Sequence, residues 1–265
     1  MIPNPANPQA FNRFSYVYNR PINFTDPSGH DPHWCSDDQG RNVNDSCLYN
    51  WLDGNTTGGG GDLLFAKYGV TVDKKFTRAQ KRAIMAGLYR VGVAFANARG
   101  RDEEASQAFT AILDGGVNFN VGSTNASGDC LLVTSGGCTS SDSQINFWSM
   151  AGHGNEFIMM GNVIHELGHA YNNQLGKAPE KDMPYWMYQS PNPGRALFLQ
   201  PNSLAPVPNA CDDCHFWQFN RDLTATETFG DMFVAWTLGV WNLNPDNAKQ
   251  VQAAQLWMNG WMPKP

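Results

Sequence analysis

Apolar residues recur at spacings of three and four between Asn155 and Gln174, where Phe157, Met160, Ile164, Leu167 and Tyr171 fall on one stripe of a helix. Ile158, Asn162, His165 and His169 fall on a neighbouring stripe, so the first stripe is expected in a core and the second along a cleft. Gly161 and Gly168 each cost about 1 kcal/mol of helix propensity relative to Ala, a cost tolerated where another element comes close. Gly176 is positioned as a C-cap. Upstream, Thr77-Arg78-Ala79-Gln80 has the form of a capping box opening a helix to about Arg99, and a second helix is expected from about Asp102 to Leu113. Strand-like runs lie at Val117 to Val121, Leu131 to Thr134 and Gln144 to Trp148, with Gly- and Ser-rich turns between them. Downstream, Phe229, Phe233, Trp236 and Val240 mark one side of a helix that Thr224 or Thr226 would cap. Residues 31–62 read as loop, ending in the run Gly58 to Gly61, and residues 177–220 form a long Pro-, Asn- and aromatic-rich segment. The expected fold class is α+β, a small antiparallel sheet packed on the 155–174 helix with further helices around it.

That helix carries His165-Glu166-Leu167-Gly168-His169. Residues four apart share a helix face, so both imidazoles reach one point, with Glu166 beside them. Two neutral imidazoles plus an adjacent carboxylate is the set with which zinc proteases hold their metal and activate a water. A third ligand is required. Asn172 and Leu175 stand where a metzincin carries Gly and His, which excludes that class. Past His169 the glutamates are Glu180 and Glu227 and the one histidine is His215, with Asp222 and Asp231 as further candidates. Glu180 lies in GKAPEKDMP, which reads as a solvated loop. Glu227 falls in the first turn of the later helix, with Asp231 one turn along the same face.

These residues resemble the gluzincin class of metallopeptidases, which takes a third ligand Glu from a later helix. The resemblance implies a zincin-like fold and a Zn2+ site of His165, His169 and Glu227, with Glu166 as general base and Asp231 orienting one histidine. It covers those two helices. An edge strand over the zinc would hold an extended peptide substrate, and Gln144 to Trp148 is the candidate for it. Tyr185, Tyr188, His215 and Arg221 are candidates for stabilising an oxyanion, and the 177–220 segment for a wall or lid of the cleft. His153 is ambiguous, and His30 and His33 read as surface loop residues.

A second resemblance covers residues 7–30, NPQAFNRFSYVYNRPINFTDPSGH. Asn7-Pro8, Tyr16, Tyr18, Asn19, Pro21 and the closing Asp26-Pro27-Ser28-Gly29 are similar to the end of a rearrangement-hotspot (RHS) or YD-repeat core. Such proteins are large secreted polypeptides whose β-rich shell encloses a variable C-terminal domain, often a toxin. The resemblance implies residues 1–30 as the end of the core and 31–265 as a zinc metallopeptidase-like effector, with Met1 opening a fragment. It also implies a location outside the producing cell or delivery into a target cell, a shell contributed by the parent polypeptide, and a cognate immunity protein. No self-cleavage is expected of this chain, because the partners of Asp26 would lie in the missing core. The alternatives are a zinc amide hydrolase acting on cell-wall peptides, and a non-catalytic RHS-linked binding module.

A net charge of −6, with no basic run longer than two residues, gives no reason to expect a nucleic-acid partner. No apolar stretch approaches the roughly 18 residues of a membrane span, and no signal peptide opens the chain. The six cysteines form the local pairs Cys35 with Cys47, Cys130 with Cys138 and Cys211 with Cys214, which read as disulfides of an oxidising compartment. The rival, a structural metal at Cys211-Asp-Asp-Cys214-His215, lacks a second close pair. A redox CxxC lacks a surrounding βαβ pattern.

Overall fold

The chain divides into two units, Met1–Asn50 and Trp51–Pro265. A computed structural model describes residues 60–100, 103–114, 116–122, 137–141, 143–147, 156–188, 224–239, 241 and 248–263, all in the second unit. In order these form α1 (Gly60–Lys67), β1 (Val70–Val72), α2 (Arg78–Arg99), α3 (Ala105–Ile112), β2 (Val117–Val121), β3 (Gly137–Thr139) and β4 (Gln144–Phe147). There follow α4 (Glu156–Gln174), α5 (Ala178–Asp182), α6 (Tyr185–Tyr188), α7 (Ala225–Leu238) and α8 (Ala248–Trp261). The class is α+β, as expected.

The helix ends follow local chemistry. At the start of α2 the backbone N–H of Gln80 donates to Thr77 Oγ1 (3.3 Å) and that of Thr77 donates to Gln80 Oε1 (2.7 Å), the reciprocal capping box. Thr224, not Thr226, caps α7, its hydroxyl accepting from the Glu227 N–H at 3.2 Å. At the end of α4, Gly176 takes a φ of +66°, and the Gly176 and Lys177 N–H groups return to the carbonyls of Asn173 and Asn172. This is the crossed pattern of a Schellman motif. α1 begins inside the stretch expected to be loop, and α5 and α6 lie in the segment expected to be irregular. Glu180 is accordingly in a short helix, bonded to the buried Asn172 through Asn172 Nδ2 to Glu180 Oε2 at 2.8 Å, and not in a solvated loop.

The sheet corrects the expectation of an antiparallel one. Its order is β1-β2-β4-β3, in which β1 and β2 pair in parallel, β2 and β4 pair in parallel, and only β3 runs antiparallel to β4. Parallel neighbours need a crossover connection, and α2 with α3 supplies it between β1 and β2. Three-residue β1 is too short to announce itself in sequence, so the βαβ connection was hidden. Alternation sets the faces: Val70, Val117, Phe119, Ile145 and Phe147 are buried, while Asn118, Asn120, Gln144 and Asn146 fall on the other face. There Asn120 Nδ2 donates to Gln144 Oε1 at 3.0 Å.

α4 is the centre of the core. It packs against α2, α7 and β3, and from Met159 to Asn172 every residue but Asn162 is buried. The expected division into a core stripe and a cleft stripe therefore does not hold: His165, at 1% exposure, is as deep as the apolar residues around it. Phe95 of α2, Tyr171 of α4 and Phe233 and Trp236 of α7 close the far side as one aromatic cluster, with ring centroids 5.6–6.0 Å apart. Among the described residues no helix is long and apolar enough to cross a membrane. The expected strand Leu131 to Thr134, residues 7–30, and His30, His33, His153, His215, Arg221 and Asp222 lie outside the described residues. So do all cysteines but Cys138, which is disulfide-bonded.

Candidate metal centre

Helix periodicity brings His165 and His169 to the same side of α4, with ring centroids 4.5 Å apart and planes at 89°. α7 crosses over them and lowers Glu227 into the gap. Its Oε2 lies 3.3 Å from His165 Nε2 and its Oε1 lies 3.6 Å from His169 Nε2. One donor atom from each of the three residues falls within 4.8 Å of the others, a group that could hold a metal ion. The histidines are buried and Glu227 is 30% exposed, so solvent reaches the group from the α7 side.

Close approach of the two helices depends on two glycines. A Cβ at Gly168 would lie 2.8 Å from Phe233 Cβ, and one at Gly230 would lie 2.4 Å from His165 Cε1. The expectation that Gly168 marks a close neighbour holds. Gly230, which presses on the face of the His165 ring, was missed. Its signal was present, a glycine inside a helix between two acids of one face.

Asp231 sits on the other side of that ring, its Oδ1 3.2 Å from His165 Nδ1. Among the described residues neither atom has a directed hydrogen-bond partner, and the contact is an ion pair. Burial works against a charge on His165, but contact with Asp231 and Glu227 outweighs it and raises the pKa to about 10. His169 goes the other way, lowered to about 3 by burial and by its charged neighbour His165. Burial pushes Asp231 up to about 6, with His165 opposing. The two imidazoles are thus driven in opposite directions, His165 toward its charged form and His169 toward its neutral one. His169 Nδ1 is also buried without a hydrogen-bond partner among the described residues.

The Glu166 carboxyl is held by the sheet. Thr139 Oγ1 of β3 donates to Glu166 Oε2 at 2.7 Å and lies 2.9 Å from the Glu166 backbone carbonyl oxygen. Burial raises Glu166 to about 7, against the lowering effect of His165 and Thr139. That is the range in which a carboxyl both takes and returns a proton at neutral pH. The strand beside Glu166 is β3, which among the described strands is the antiparallel edge, and this corrects the expectation that Gln144 to Trp148 is the edge: β4 is flanked on both sides. Nothing in the three residues Gly137–Thr139 signals this role in sequence.

Of the oxyanion candidates, Tyr185 is 66% exposed and its ring meets that of Tyr188 edge-on at 5.4 Å. Among the described residues neither phenol hydrogen-bonds to the metal-holding group. No protein-family model, curated protein or solved structure matches the chain.

Proposed function

We propose that this protein is a zinc-dependent endopeptidase with a zincin-like arrangement of sheet and helices. The observation that carries the reading is the meeting of His165, His169 and Glu227 with Glu166 held alongside. Zinc suits this donor set. Ligand atoms about 2.0–2.1 Å from a tetrahedral zinc lie about 3.3 Å apart. The nitrogen–oxygen separations of 3.3 and 3.6 Å are close to that edge. A zinc ion, when bound, polarises a carbonyl and lowers the pKa of a water to about 7.

The chain's own residues do the rest. Glu166 accepts the proton of the attacking water and passes it to the leaving amine. Asp231 fixes the tilt of the His165 ring and stabilises a positive charge on it. Burial keeps His169 neutral and ready to ligate. Among the described strands β3 is the outer one beside the base, the kind of position along which an extended peptide adds as a strand.

Residues 7–30 support a wider reading, in which the peptidase is the C-terminal effector of an RHS-repeat protein, carried out of the producing cell within that protein's shell and countered by an immunity protein. Replacing Glu166 by Ala tests the core of the reading. The variant should keep its zinc by elemental analysis while peptide hydrolysis falls by about 10²–10⁴-fold. Undiminished hydrolysis would remove Glu166 as base, and a wild-type chain that takes up no zinc would end the enzyme reading. Turnover of peptidoglycan fragments with no turnover of proteins would move the substrate to cell-wall peptides.

A further inference from the structure

A general base that shuttles a proton changes its charge twice per turnover, and a carboxyl group free to rotate would swing between the two states. Among the described residues, one side chain alone hydrogen-bonds the Glu166 carboxyl, and it belongs to the sheet. We propose that Thr139 is the positioning residue of this base, an inference that rests on the peptidase reading above.

The placement follows from strand geometry. Gly137 and Thr139 are two apart on β3 and so present to the same face, the one on which Ile145 and Phe147 of β4 are buried. Thr139 grips Oε2. Gly137 lies under Oε1, and a Cβ there would come within 2.9 Å of it. The carboxyl is thus seated between two residues of one strand. β3 is paired with β4 through three registered positions, and its middle residue Cys138 is disulfide-bonded, so the seat belongs to a fixed element.

The hydroxyl has one proton and two acceptors within reach, Glu166 Oε2 at 2.7 Å and the Glu166 backbone carbonyl at 2.9 Å. While Glu166 is a carboxylate, Thr139 donates to Oε2. When Glu166 takes the water's proton on its other oxygen, Thr139 keeps donating to Oε2, and the proton stays directed toward the reacting groups. No proton is gained or lost by Thr139 in either state. The base keeps one orientation through both halves of the transfer, which is the requirement for proton transfer within hydrogen-bond reach. Serine retains this hydrogen bond and valine, of nearly the same shape, abolishes it.

The experiment compares zinc-loaded wild type, Thr139→Val and Thr139→Ser by peptide hydrolysis, zinc content and crystal structure. Thr139→Val should retain zinc and KM while kcat falls about 10–100-fold, the usual effect of removing a partner of a site residue. Thr139→Ser should restore most of it. In the Thr139→Val crystal the Glu166 carboxyl should leave its wild-type position. A valine variant with wild-type kcat, or with its carboxyl unmoved, overturns the proposal. A loss of kcat that serine does not restore would overturn it too, by making the position merely structural. If wild type cleaves no peptide while valine still displaces the carboxyl, the peptidase reading fails and the positioning of Glu166 by Thr139 stands.

Discussion

α4 and α7 carry the two halves of one centre, and they do so by different physics. On α4 the residues His165, Glu166 and His169 are placed by the pitch of a single helix, so their relation survives any change that leaves the helix intact. On α7, Glu227 and Asp231 reach the histidines across a tertiary contact, through Gly168 against Phe233 and Gly230 against the His165 ring. One half is buried and the other half is 30% exposed at Glu227. The difference teaches that a metal site can be half local and half architectural. The local half brings the two imidazoles together, and the architectural half adds the carboxylate that completes the donor group.

Breaking the local half should have the largest effect. His169→Ala should lose zinc altogether on gel filtration, read by elemental analysis, and stoichiometric zinc in that variant would remove His169 from the ligand set. Glu227→Ala should leave a weakened site on an intact fold, with unchanged circular dichroism and a raised zinc Kd. An unchanged Kd would shift the third ligand to Asp231 or His215. Gly230→Ala tests the contact itself: the new methyl meets the His165 ring, and overpacking of this kind costs about 1–3 kcal/mol, visible as a lower Tm of the metal-free protein. A Tm equal to that of wild type would mean that α7 does not press on the ring.

Asp231→Asn keeps the shape and removes the charge, and zinc affinity should fall about 10–100-fold. The smallest effect is on protons. With its pKa raised from 6.5 to about 10 in the metal-free protein, His165 carries a proton at pH 8, while Glu166 and Asp231, near 7 and 6, have lost theirs. Zinc binding at pH 8 should therefore release a proton from His165, measurable by calorimetry in buffers of different ionisation heat. The sign for stability follows from the same shift. A raised folded-state pKa stabilises the metal-free protein fully below about 6.5, and that contribution is lost as pH rises through about 10. Zinc uptake at pH 8 without proton release would show the ring to be neutral beforehand.

Much of the local half was legible in sequence. The capping box at Thr77, the span of α4, the Gly176 cap and the placement of Glu227 in the first turn of α7 all depend on neighbours a few positions away. What was not legible depends on distant pairing. The parallel sheet was hidden because Val70–Val72 is three residues long and its partner Val117–Val121 lies beyond two helices. β3 was hidden because Gly-Cys-Thr has no alternation long enough to register, although it holds the carboxyl of Glu166. Burial of α4 on nearly every side was hidden because histidine, glutamate and asparagine look solvent-facing until their partners are known.

The hydroxyl of Tyr171, two residues beyond His169, donates to the backbone carbonyl of Trp261 in α8 at 2.7 Å. During synthesis the chain emerges from its N-terminal side, so the histidine pair leaves the ribosome well before Glu227, and Glu227 before the carbonyl that ties α4 down. A nascent chain therefore passes through a stage with two imidazoles and no third donor. The order of translation itself delays the meeting of the three donors until α7 has been made.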